Sequence, residues 1–155
     1  MFYYARRYNQ AIEQLKKTSE LDPRRPGVLA HLGQAYEAAG RLDEAITEHE
    51  KSLALNGDPA QKARLAHAYV LAGRRDDARR LLAELLAAPQ TDVSPQYEIA
   101  TVYAALGDRD QAFTWLEKAI AGSEGAEIWL KVDPQLDSLR DDPRYVALLR
   151  RIGLG

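Results

Sequence analysis

The side chains best suited to hold a metal in this 155-residue chain are three histidines, His31, His49 and His67. His31 and His67 could approach one another across neighbouring helices, but no third ligand is spaced with them, so we expect no metal site and no cofactor. His49 falls on an inward helical face and reads as a core histidine. Cysteine is absent, which excludes disulfides and thiolate metal centres and fits a reducing compartment. Carboxylates cluster at Asp43-Glu44, Asp76-Asp77 and Asp108, each where a helix is about to begin. Negative charge is favourable at that helix end, so these groups need no catalytic role.

Other catalytic arrangements are missing too. The chain has no glycine-rich phosphate loop, no Gly-x-Ser-x-Gly elbow and no supported Ser, His and Asp set, and we expect no enzyme. Arg74, Arg75, Arg79 and Arg80 form the one basic cluster, and Asp76, Asp77 and Glu84 interrupt it. That pattern describes a solvated helix face better than a nucleic-acid contact. A formal net charge of −2 gives no global attraction to nucleic acid or an anionic membrane. The start, Met1 to Arg7, is too short in apolar residues for a signal-peptide core or a membrane span, so the chain reads as soluble and cytoplasmic.

The elements that carry these residues recur at a fixed step. Ala11, Ala45, Ala78 and Ala112 lie 34, 33 and 34 residues apart, and Phe2, Tyr36, Tyr69 and Tyr103 keep the same intervals. Gly40, Gly73 and Gly107 follow at 33 and 34. Three residue types sharing one period mean a repeated pair of helices. Residues 28–56 are the clearest copy, with Leu29, Leu32, Tyr36 and Ala39 on one face of the first helix. Leu42, Ala45, Ile46, His49 and Leu53 line the second. Gly33 and Ala45 mark where the pair must approach closely, and Gly40 ends the first helix.

Residues 1–23 supply half a unit, with Tyr8, Ala11, Ile12, Leu15 and Leu21 at helical spacing. Full units run over 26–57, 59–90 and 93–121, the last preceded by Ser94 as a helix cap and Pro95 at the first helical position. Phe2, Tyr3, Tyr4 and Tyr8 would pack on a helix preceding Met1, which leaves an aromatic cluster without an obvious cover. Two explanations stay open: the chain is the C-terminal part of a longer repeat protein, or the exposed end pairs with a second copy as a homodimer. Residues 122–155 leave the period and read as a capping segment, in which Trp129, Leu136 and Leu139 lie down on the last repeat.

The run LGQAYEAAGRLDEAI, with its spacing of Gly33, Tyr36 and Ala45, resembles the tetratricopeptide repeat family over residues 1–121. The resemblance implies an all-α, right-handed solenoid of antiparallel helix pairs with a C-terminal helical cap. Ala66 and Ala100 replace the family's usual glycine, and His49 stands where an aromatic is common. From Val93 on, the chain resembles the segment that closes repeat arrays in bacterial multidomain regulators. That likeness implies an effector domain upstream in a larger protein.

The family's function implies a non-catalytic scaffold that binds a peptide or helix of a protein partner in a concave groove lined by first helices. Carried across by position, the groove residues are Ala30, His31, Gln34 and Glu37 in the second unit. The third unit gives Ala63, Arg64, His67 and Val70; the fourth gives Tyr97, Glu98 and Thr101, with Tyr3 and Tyr4 at the N-terminal end. Family members that clamp the acidic C-termini of chaperones use asparagines and lysines, where this chain has Gln34, His67 and Thr101, so that ligand is rejected. Without the resemblance, the same positions read as a solvated helix face.

Overall fold

The computed structural model describes residues 2–89, 95–122 and 126–154, and every regular element among them is helical. The chain divides into two compact units, Met1–Ala88 and Pro89–Gly155. Unit 1 contains α1 (Tyr8–Leu21), α2 (Pro26–Ala38), α3 (Leu42–Asn56), α4 (Pro59–Leu71) and α5 (Arg75–Ala87). Within it, α2 packs on α3 and α4 on α5 as pairs, while α3 against α4 and α1 against α2 join the pairs.

The turn inside each pair explains the repeated glycine and tyrosine. Gly40 and Gly73 hold φ of 75° and 79°, a left-handed conformation that a side chain would strain. The residue after each glycine then donates its N–H back to the tyrosine carbonyl, Arg41 to Tyr36 at 2.9 Å and Arg74 to Tyr69 at 2.8 Å. This closes the helix end and satisfies carbonyls the helix cannot. The arginines double as ring covers, with guanidinium carbons 4.7 Å from the Tyr36 centroid and 4.2 Å from that of Tyr69. Small residues make the pairs tight: Ala35, Ala45, Ala66, Ala68 and Ala78 are fully buried. Between pairs, Asp58 caps α4 by accepting from the Ala60 N–H at 2.8 Å, with Pro59 at the first helical position.

Two expectations for the first 23 residues need correction. Leu21 is 88% exposed. It closes α1 two to three residues past the turn that would continue the Ala11, Ile12 and Leu15 face, and so points away from it. The aromatic cluster is not an open face either. Phe2 and Tyr3 pack on the core formed by Ala11, Ile12, Leu32, Ala35, Tyr36 and Ala45. A tight turn makes this fit, with the Arg6 N–H donating to the Tyr3 carbonyl and the Arg7 N–H to that of Phe2, both at 2.9 Å. Tyr3 meets Tyr4 edge-on at 5.0 Å and Tyr8 at 5.9 Å, and all four rings are half-buried.

Unit 2 contains α6 (Gln96–Leu106), α7 (Arg109–Gly122), α8 (Ala126–Leu130), a short 3-10 helix (Pro134–Leu139) and α9 (Pro143–Arg151). Its pair closes like the others: Gly107 has φ 85°, and the Asp108 N–H donates to the Tyr103 carbonyl at 3.0 Å. Pro95 stands one place before the helix, as its flanking residue rather than its first, and Ser94 lies outside the described residues. The capping segment covers this pair through Leu130, Leu136 and Leu139, none of which retains exposed surface. Trp129, expected to lie down with them, is 42% exposed, and Leu130 takes the inward place. A helix of one turn gives no periodicity from which to read its phase. Both Asp-Pro steps in the segment start helices: Asp133 accepts from the Gln135 N–H at 2.9 Å and Asp142 from that of Arg144 at 3.0 Å.

Candidate partner-binding faces

The first helices of unit 1, α2 and α4, lie against each other as well as against their own partners. That contact decides the fate of the residues expected to line a groove. Ala30, Gln34, Glu37, Ala63, His67 and Val70 are buried, because their row faces the neighbouring first helix. His31 stays exposed and Arg64 half-buried, and these two reach the surface. Loss of solvation and then the Arg64 guanidinium push the His31 pKa down. Tyr3 and Tyr4 belong to the N-terminal aromatic cluster described above.

Beneath this surface sits a polar cluster. Glu37 on α2 accepts at one carboxylate oxygen from His49 Nε2 of α3 at 2.9 Å and at the other from His67 Nδ1 of α4 at 2.8 Å. Burial alone would raise the Glu37 carboxyl, but the charge of His67 and the hydrogen bonds from both rings outweigh it and hold its pKa at about 2. His49 is completely buried, as expected of a core histidine, although its Nδ1 has no hydrogen-bond partner among the described residues. Among the described residues no group of three His, Cys, Asp or Glu is placed to hold a metal ion.

Sequence reasoning placed Glu37 and His67 on one groove but missed that they bond to each other. Their spacing of 30 carries the signal: one repeat less one helical turn puts them side by side on adjacent first helices. Other polar groups are also absorbed by packing. The Ser52 hydroxyl at the end of α3 donates to the Pro26 carbonyl at the start of α2 at 2.8 Å.

In unit 2, Thr101 is buried and donates to the Glu98 carbonyl at 2.8 Å. Tyr97 and Glu98 are half-buried. The Tyr97 hydroxyl donates to Asp133 of the capping segment at 2.8 Å, so this ring latches the cap to α6. Asp133 also holds the segment through its carbonyl, which accepts from Arg140 at 3.1 Å, and the Tyr145 hydroxyl donates to the Leu130 carbonyl. Arg144 bridges Asp142 at 2.9 Å to Asp110 of α7 at 2.6 Å. The basic cluster of α5 is paired in its own turn, Arg74 and Arg80 with Asp77 and Arg79 with Asp76. No helix among the described residues is long and apolar enough to cross a membrane.

Three models of the tetratricopeptide repeat match the chain, over residues 2–63, 62–84 and 93–121. The chain is also similar to the probable UDP-N-acetylglucosamine--peptide N-acetylglucosaminyltransferase SPINDLY of Hordeum vulgare, at 28% identity over 120 residues. The match covers 71% of this chain and 12% of that protein.

Proposed function

Because the chain belongs to the tetratricopeptide repeat family, we propose that it is a non-catalytic scaffold that holds a peptide or helical segment of a protein partner against its first helices. The observation that carries this reading is the exposure of His31 beside Arg64 on α2 and α4, two polar side chains on a face otherwise closed by packing. On the other unit, Tyr97 and Glu98 offer an aromatic edge and a carboxylate on α6. Transferase activity belongs by its printed name to the Hordeum vulgare relative, of which this chain matches 12%. The tail's likeness to the closing segment of bacterial regulators supports a role inside a larger cytoplasmic regulatory protein. The charge balance and the internal pairing of the α5 arginines speak against nucleic acid as the partner.

The test compares partner capture by the wild type and by a His31→Glu, Arg64→Ala variant that melts at the same temperature. Loss of the partner from the variant alone, followed by at least about tenfold weaker binding of the mapped partner segment in calorimetry, is the expected result. Equal capture by both proteins removes this face from the proposal. Self-association is a second reading, favoured by the part of the Tyr3, Tyr4 and Tyr8 cluster that remains in solvent. Light scattering that reports a monomer across a concentration series ends it.

A further inference from the structure

Of the two asparagines in the chain, Asn56 is the one followed by glycine. The other, Asn9, precedes Gln10 and lies in α1. The backbone nitrogen of the next residue can attack an asparagine side chain, and a glycine there leaves that nitrogen without a neighbouring Cβ to crowd the ring being formed. Asn56 is the last residue of α3, and Gly57 follows it in the left-handed conformation, with φ 60° and ψ 18°. Both residues are exposed. A Cβ at Gly57 would meet nothing within 4 Å, so water and base reach the peptide group from that side.

The turn also prepares the electrophile. The Asp58 N–H donates to the Asn56 side-chain carbonyl at 3.2 Å, a bond that folds the amide back toward the following backbone. It polarises the carbonyl and stabilises the negative charge that develops on its oxygen during attack. One bond opposes the reaction, because the Gly57 N–H donates to the Leu53 carbonyl at 2.8 Å. That bond closes the C-terminal end of α3, and helix ends open far more easily than a whole fold. The far side of the turn stays anchored, since Asp58 caps α4 by accepting from the Ala60 N–H at 2.8 Å.

We propose that Asn56 is a site of spontaneous covalent modification in the folded chain, reached by opening of the last turn of α3. The Gly57 nitrogen gives its proton to solvent base and bonds to the Asn56 side-chain carbonyl carbon. The bond from that carbon to Nδ2 breaks, and ammonia leaves with a proton returned by solvent. Water then opens the cyclic imide at either of its two carbonyls, giving aspartate or isoaspartate. Each product adds a negative charge close to Asp58. The isoaspartyl form also puts one extra carbon into the backbone between α3 and α4, at the junction of the second and third units. This goes beyond the scaffold reading and holds whichever partner is bound.

The full chain is aged in mildly alkaline buffer without denaturant and then digested with trypsin. Cleavage at lysine and arginine isolates Asn56 in residues 52–62 and Asn9 in residues 8–16. The peptide 52–62 should gain the mass difference between an amide and an acid and split into aspartyl and isoaspartyl products, while 8–16 stays intact. Asn56→Gln should abolish these products, and Gly57→Ala should slow them through the Cβ it adds beside the attacking nitrogen. The synthetic peptide 52–62, which lacks the folded helix end, should react faster than the folded chain. An unmodified Asn56 in the folded chain, under conditions in which that peptide reacts, overturns the proposal. So does an aspartyl product without the isoaspartyl one, which means direct hydrolysis by water, or an unchanged rate in Gly57→Ala. Product that forms only in urea strong enough to unfold the chain overturns the route through the helix end. If Gly57→Ala fails to fold, the aspartyl and isoaspartyl split in the wild type decides by itself.

Discussion

Gly33 lies against the His49 imidazole so closely that a Cβ at position 33 would sit 2.6 to 2.8 Å from three ring atoms. The ring cannot simply step aside, because it is fully buried and bonded to Glu37. Gly33→Ala should therefore cost about 1 to 3 kcal/mol, the usual range for overfilling a packed core. Gly27 provides the contrast on the same helix, since a Cβ there meets nothing within 4 Å. Gly27→Ala should be neutral or stabilise by about 0.5 to 1 kcal/mol, by removing the entropy of a helical glycine. Urea denaturation of the two variants measures both, and equal midpoints would refute the close contact.

The Glu37 carboxyl makes a prediction about acid. Its pKa lies at about 2 in the fold, below the ordinary carboxyl value of 4.5. A group depressed in this way contributes stability that is fully present above the unfolded value and is lost as pH falls through the folded one. Stability should accordingly decline between about pH 4.5 and 2, by up to about 3 kcal/mol from this carboxyl. Glu37→Gln should be less stable at pH 7 and show a shallower decline over that window. Denaturant midpoints measured from pH 7 to pH 2 test it, and parallel curves for the two proteins would show that other carboxyls carry the acid response.

How far these relationships could be read in advance depends on their range along the chain. The helix pairs were legible because Gly40, Gly73 and Gly107 must each adopt a left-handed conformation that the same tyrosine carbonyl then closes, so both residue types recur in step. The closeness at Gly33 was legible as a missing side chain, though not that an imidazole fills the space. Helical phase named the apolar face of each first helix but not which neighbour covers the adjacent row. Contact between α2 and α4 buries Gln34, Glu37 and His67 and leaves His31 as the accessible remnant. Periodicity also fails at ends: Leu21, the last residue of α1, falls off the face shared by Ala11, Ile12 and Leu15, and α8 is too short to distinguish Trp129 from Leu130.

The latch between Tyr97 and Asp133 separates a structural from a recognition role at the one aromatic of the α6 face assigned to a partner. Asp133 does two jobs: one oxygen accepts the Tyr97 hydroxyl at 2.8 Å and the other caps the short Pro134–Leu139 helix at the Gln135 N–H. Tyr97→Phe keeps the ring and removes only the hydroxyl. On a half-buried site this should cost about 1.5 kcal/mol, the low end for a bond to a charged acceptor. Asp133→Ala should cost more, because the helix cap is lost as well, worth about another 1 kcal/mol. In the Asp133→Ala background, Tyr97→Phe should then have a smaller effect, since the Asp133 acceptor is already gone. Denaturation of the two single variants and the double variant measures this coupling. If Tyr97→Phe instead leaves stability unchanged while weakening capture of a partner, the hydroxyl serves recognition, and the capping segment is held by its leucines and its other polar contacts.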